Sequence, residues 1–317
     1  MSTSRRASGT GTGTGTVAGC VLAATVTVGT LSGCVIGDAT GNRETVTVQA
    51  GQDSAGSVGT AGAPSPTPGA PAPGSDPSPA APAASGDAGL DIAASYSVAW
   101  LDGGRPVTGG ETGAASARAA WSTSKVPLAI AALRHDPATG PTVESALTES
   151  DNAAAEQLWT SLGDPTTAGA AVQAVLREGG DTTTTVQNQV VRPGFSAFGQ
   201  TMWTTADQAT FAGKLSCLPG AGPVLDAMGR ISNGGGYGLG LIPGARFKGG
   251  WGPDESGAYQ VRQFGLVPGR DGTQVPVAIA ATSPDGSYEG GQRVLDDIVA
   301  QLPGHLAGVT GVTPGSC

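Results

Sequence analysis

Ser122 and Lys125 stand three residues apart in Trp121-Ser-Thr-Ser-Lys125. On a helix that spacing stacks a hydroxyl and an amine one turn apart on the same face. Such a pair can run nucleophilic catalysis, the amine taking the hydroxyl proton as the oxygen attacks an acyl carbon. A helix opening at Ser122 would also direct its positive end at charge developing on that oxygen. Ser124 would face elsewhere. The pair alone weighs little, because chance supplies about 0.2 Ser-x-x-Lys matches in a chain with 25 serines and three lysines. Ser150-Asp151-Asn152 is rarer, at about 0.02 by chance. It precedes an Ala-rich helix, where all three residue types also serve as N-caps, and the two uses can coexist. Lys248-Gly249-Gly250-Trp251 falls on a β-rich run, where an isolated lysine is ordinarily a solvated strand terminus.

Other chemistries are excluded by composition. His135 and His305 are the two histidines, each in a Gly/Pro-flanked stretch that reads as a loop. A His-ligated metal site or a Ser-His-Asp triad is therefore not expected, and no cofactor is implied. The net charge of −9 leaves little attraction for nucleic acid. Without residues 1–33, which carry Arg5 and Arg6 and no acid, 14 basic residues face 25 acidic ones.

The elements that must position these groups lie in residues 90–317. All 14 aromatic residues fall between Tyr96 and Tyr288, so the first 95 residues cannot supply a large core. Tyr96–Trp100, a Gly103-Gly104 turn and Pro106–Thr112 predict a hairpin. Helices are expected from Ser122 to Arg134, Ala153 to Leu162, Pro165 to about Glu178, Thr205 to Leu215, Pro223 to Ile231 and Tyr288 to Leu302. Pro127 falls in the first turns of its helix, and Asp164-Pro165 is an N-cap followed by proline at the first helical position. Arg246–Trp251, Tyr259–Val267 and Val275–Thr282 predict three strands. Strands at both ends with helices between them predict an α+β domain with an antiparallel sheet flanked by helices.

Residues 1–33 read as a lipoprotein signal peptide. Arg5-Arg6 precedes a short apolar stretch ending in Leu31-Ser32-Gly33-Cys34, which is similar to the bacterial lipobox and makes Cys34 the lipidated first residue. The alternative is ordinary cleavage near Cys34. The twin arginines point only weakly to folded export, since Ala7-Ser8-Gly9 is not apolar. Residues 34–89, with eight prolines between Pro64 and Pro82, read as a disordered tether spanning roughly 40 Å as a flexible coil. Glu44–Gln49 alternates like a strand but is too short and isolated to hold one. A lipid-anchored monomer on the extracellular face of the cell membrane, reaching into the wall, is the expected localisation. Cys217 and Cys317 would then form one disulfide, the alternative being two free thiols.

Together and in this order, Ser-x-x-Lys, Ser-Asp-Asn and Lys-Gly-Gly resemble the serine β-lactamase and penicillin-binding protein family. WSTSKVPLAIAAL, SDNAAAEQLWTSLGDP, GQTMWTTADQATFAGKL and KGGWG followed by YQVRQFGLV extend the resemblance across Tyr96–Pro303. The leader, tether and KGGWGPD wording look most like actinobacterial lipoproteins carrying this domain, and 13 arginines against three lysines point to a GC-rich genome. The resemblance implies a β-lactamase/transpeptidase-like fold and assigns roles. Ser122 attacks a β-lactam or peptidoglycan-peptide carbonyl and Lys125 accepts its proton. Ser150 passes a proton to the leaving nitrogen and Asn152 binds the substrate amide. Lys248 holds a substrate carboxylate or polarises Ser150, and the Ser122 and Trp251 N–H groups form the oxyanion hole beside Gly250.

Three departures qualify these roles. Gly249 replaces the usual Thr or Ser of the third motif, a loss that Arg262 on the next strand is expected to offset. Only 28 positions separate Ser122 from Ser150, so a shortened helical lobe is expected. Thr182–Gly199 offers Gln187, Asn188 and Gln189 but no carboxylate to activate a deacylating water. Two functions stay open: a slowly deacylating serine acyl-enzyme, or a domain of this fold kept for binding or scaffolding.

Overall fold

A computed structural model describes residues 88–317. The signal peptide, Cys34, the Glu44–Gln49 stretch and nearly all of the tether lie outside the described residues. In chain order the domain runs β1 (Ser95–Asp102), β2 (Arg105–Gly110), β3 (Arg118–Ala119), a 3-10 turn (Trp121–Ser124), then α1 (Lys125–His135). There follow α2 (Gly140–Thr148), α3 (Asn152–Ser161), α4 (Pro165–Glu178), β4 (Met202–Trp203), α5 (Thr205–Lys214) and α6 (Ala221–Met228). It closes with β5 (Arg246–Pro253), β6 (Tyr259–Pro268), β7 (Gln274–Thr282) and α7 (Tyr288–Leu306).

The five long strands form one antiparallel sheet in the order β2-β1-β7-β6-β5. Strands from both ends of the described domain thus build one sheet, and β5 is left at its edge. Strand alternation divides the core between the two faces. Val98, Trp100, Val277 and Ile279 pack under Leu295, Ile298 and Leu302 of α7. Ala99, Leu101, Phe264 and Ala278 belong to the larger core, shared with α1 to α6. Fully burying one such Leu, Ile or Phe contributes roughly 1.5–3 kcal/mol, so α7 is held chiefly by its apolar stripe.

Local signals fix the helix starts. Asp164 accepts the Thr166 and Thr167 N–H groups and Pro165 follows it, while Gly179 ends α4. Asp151 caps α3 by accepting from Ala153 and Ala154 N–H. Two sequence expectations need correction. His135 and His305 lie on helices, at the ends of α1 and α7, and the His305 ring sits 5.8 Å from Trp100. The last helix also continues four residues beyond Leu302, through Pro303. The buried apolar stripe continues to draw this turn onto the sheet: Leu306 packs against the β-side core.

The expected disulfide is formed: Cys217 and Cys317 are bonded, with Cα atoms 5.6 Å apart.

Candidate active site

Ser122 occupies the 3-10 turn rather than the first turn of an α-helix, which begins at Lys125. Trp121, just before it, has φ +49°. A bulky residue in the left-handed region is strained, and such strain collects where surroundings over-determine the backbone. Here they do so from two sides. A Cβ on Gly250 would lie 2.8 Å from the Ser122 nitrogen and 2.9 Å from the Ala120 oxygen. One on Gly252 would lie 2.6 Å from the Trp121 ring. Glycine at both positions lets the edge strand β5 come down onto the Trp121–Ser124 turn.

Beneath the turn, Thr123 Oγ1 accepts from Gln208 Nε2 at 3.0 Å and donates to the Ala120 carbonyl. Gln208 Oε1 in turn accepts from Arg262 at 2.6 Å. Arg262 is therefore not a substrate-carboxylate ligand, and the expectation that it offsets Gly249 is overturned. It sits opposite Gly250 on β6, buried on the sheet's helical face, and also donates to the Arg118, Ala119 and Trp203 carbonyls. Burial, and then Arg118, push its pKa down to about 9. An internal guanidinium needs this many acceptors, and here they tie β3, β4 and α5 under the Ser122 turn.

Ser150 is the second strained residue, at φ +58°. That conformation turns its carbonyl to Lys125 and its hydroxyl to Lys248. Lys125 Nζ donates to Ser150 O at 2.6 Å, Asn152 Oδ1 at 2.8 Å and Asp151 O at 3.2 Å, and stands 3.5 Å from Ser150 Oγ. Lys248 Nζ donates to Ser150 Oγ at 2.9 Å and to Gly249 O at 3.0 Å. Lys248 is 0% exposed, so it is no solvated strand terminus, and Ser122 and Lys125 are each 2% exposed. Two amines withdrawn from water thus meet on one serine, where carbonyl and amide oxygens replace their hydration.

The motif residues Ser122, Lys125, Ser150, Asn152, Lys248, Gly249, Gly250 and Trp251 are brought to one place. The Trp251 ring points to the α7 side, 5.1 Å from Tyr288, leaving its backbone next to Gly250 and the nucleophile turn. Gly249 is not required sterically. A Cβ there would have its nearest neighbours at 3.6–3.8 Å, among them the Tyr237 hydroxyl.

The 181–200 segment packs beside the turn. Gln200 Nε2 donates to the Arg192, Phe195 and Ser196 carbonyls, and its Oε1 accepts from Arg192 N–H. The Phe195 ring lies 5.3 Å from Trp121. The Arg192 guanidinium covers both rings and donates to Pro253 O at 2.8 Å and Asp254 O at 3.3 Å. Neither Arg192 nor Trp121 was singled out in the sequence, where no spacing links residue 192 to the end of β5. Glu156 was also passed over, although it follows Asn152 by four positions on a helix. No group of three or more His, Cys, Asp or Glu side chains among the described residues is placed to hold a metal ion.

TLA-3 extended-spectrum β-lactamase superposes with a TM-score of 0.57 at 14% identity, over 68% of this chain and 94% of that one. The fold is that of the class A β-lactamases. The chromosome-encoded β-lactamase of Vibrio parahaemolyticus gives 0.53 at 15% identity, over 68% and 94% of the two chains. A variant of the last common ancestor of Gram-negative class A enzymes gives 0.51 at 22% identity, over 67% and 94%. No protein-family model and no curated protein matches the sequence. Sequence expectation and fold agree on an α+β, β-lactamase-like domain. Its span between the first two motif serines holds only the end of the Trp121–Ser124 turn, α1, a second 3-10 turn (Pro137–Thr139) and α2.

Proposed function

We propose that this chain is a cell-envelope lipoprotein whose domain forms an acyl-enzyme at Ser122 with β-lactams or cell-wall peptides. The observation that supports it best is the convergence of Lys125 and Lys248 on Ser150, beside a nucleophile turn held against β5. Ser122 Oγ attacks the acyl carbon and its proton passes to Lys125. The oxyanion is met by the Ser122 and Trp251 N–H groups. The C–N bond then breaks, and the departing nitrogen takes the Ser150 proton. Lys125, 3.5 Å from Ser150 Oγ, returns the proton it received, so the relay closes with an ester on Ser122. Asn152 orients the substrate amide and Lys248 polarises Ser150. The 182–199 loop carries no carboxylate, so that loop offers no base to activate water against the ester. Cys34 holds the domain to the outer face of the membrane, and the domain acts as a monomer.

A labelled penicillin tests this directly. Intact mass should show one adduct, mapped to Ser122 and lost in Ser122→Ala. The binding or scaffolding reading is favoured by a different observation: Arg192 covers Trp121 and reaches the end of β5, and Ser122 is almost inaccessible. A folded protein that takes no label at high probe concentration would support that reading instead.

A further inference from the structure

Glu156 lies on α3 one turn after Asn152, whose Oδ1 takes the Lys125 amine at 2.8 Å. Residues four apart on a helix share a face, so Glu156 follows the contact that Lys125 makes. Asp151, the neighbouring acid, is committed to the α3 N-cap and Ser145. Glu156 instead lines a cavity of about 450 Å³, together with Trp159, Asn188, Gln189, Ser196 and Ala197. A space of that size and polarity accommodates several water molecules. Both walls lead to the nucleophile turn. On one side α3 touches Lys125 through Asn152. On the other, Phe195 and Gly199 pack on Trp121, the residue before Ser122.

We infer that Glu156 is the general base that activates water for hydrolysis of the Ser122 ester, acting from α3 instead of from the 182–199 loop. This rests on the acyl-enzyme reading above. The carboxylate takes a proton from water as the water oxygen bonds to the acyl carbon. The ester C–O bond breaks, and the Ser122 oxygen recovers a proton from Glu156, leaving free acid and free enzyme. Electrostatics agree with the placement. Burial raises the Glu156 pKa above the ordinary 4.5, and the charge of Lys125 partly opposes the rise. A carboxylate so poised is a better base than an exposed one. The cavity's other lining residues carry no ionisable group, so Lys125 is the charge that opposes the effect of burial on Glu156.

The experiment measures acylation and release separately, with a labelled penicillin on the full-length protein and on Glu156→Gln and Glu156→Asp. Glu156→Gln should acylate within about threefold of the wild type and lengthen the adduct lifetime roughly 10²-fold or more. Glu156→Asp should recover part of the release rate. Wild-type release should rise with pH through a value above 4.5 and level off, whereas Glu156→Gln should stay flat. Equal adduct lifetimes in the wild type and Glu156→Gln would overturn the inference. So would a Glu156→Gln that loses acylation and release together, because Glu156 would then act on Lys125 and not on water. A folded wild type that never acquires label would overturn the acyl-enzyme reading itself, a result distinct from either.

Discussion

Ser150 is held by two amines and by its own strained backbone, and each hold has a measurable consequence. Removing the Lys125 amine takes away the proposed proton acceptor and the partner of three oxygens at once. Lys125→Ala should slow penicillin labelling by roughly 10²–10⁴-fold, the usual cost of a lost general base, with labelling rate against probe concentration as the measurement. Gly249 offers the opposite test. Its Cβ direction is open to ordinary contact distance, and glycine inside a strand costs roughly 0.5–1 kcal/mol relative to alanine. Gly249→Thr should therefore fold at least as stably as the wild type and label faster at low probe concentration, by restoring a hydroxyl for the probe's carboxylate. Slower labelling with an unchanged melting temperature would mean that the open space beside Tyr237 is itself used by the substrate.

Among the elements, what the sequence made legible was whatever local chemistry decides. The three motifs are short and local, so the residues that the fold brings together at Ser150 could be named. Asp164-Pro165 and Asp151 fixed the starts of two helices because a side-chain carboxylate satisfies free N–H groups wherever it stands. Arg262 was misread because its role depends on partners 54 to 144 positions away, which no spacing along β6 reveals. Its truncation should be severe: Arg262→Ala removes the guanidinium donor from the Arg118, Ala119 and Trp203 carbonyls and from Gln208 Oε1. A cost of about 3 kcal/mol or more is expected, measured by denaturant unfolding, and the nucleophile turn should loosen with it. The α4 cap makes a pH-dependent prediction. The Thr167 hydroxyl first, and then the Thr167 and Thr166 N–H groups, hold the Asp164 pKa below the ordinary 3.8. A carboxyl depressed in the folded state stabilises fully above its unfolded value and loses that contribution as pH falls through its folded value. Asp164→Ala should lower the melting temperature at neutral pH, and the difference should shrink as the pH is taken below 3.8.

For the whole molecule, the proposed lipid on Cys34 and the Cys217–Cys317 bond can each be separated from the chemistry. If Cys34 carries the lipid, Cys34→Ala should release the mature domain from the detergent phase while leaving Ser122 labelling intact. The disulfide makes the further claim. Residues after α7 return across the end of the sheet, where Gly103 N–H donates to Thr310 O, Asp102 accepts from Thr310 N–H, and Val312 bridges Gln274. These few exposed contacts alone would fray, since the last residues of a domain are ordered only when tied down. The bond from Cys317 to Cys217 fixes them to the turn following α5, closing a loop with a separation of 100 residues. Chain-entropy arguments give such a loop about 4–5 kcal/mol, and measured values often fall below that. Neither cysteine touches Ser122, Lys125, Ser150 or Lys248 in the contacts described. A Cys217→Ser, Cys317→Ser double variant should therefore melt at a clearly lower temperature than the wild type, yet acylate at the same rate below its transition. Loss of labelling in the still-folded variant would show that α5, through Gln208 and Thr123, transmits strain from the chain terminus to the nucleophile.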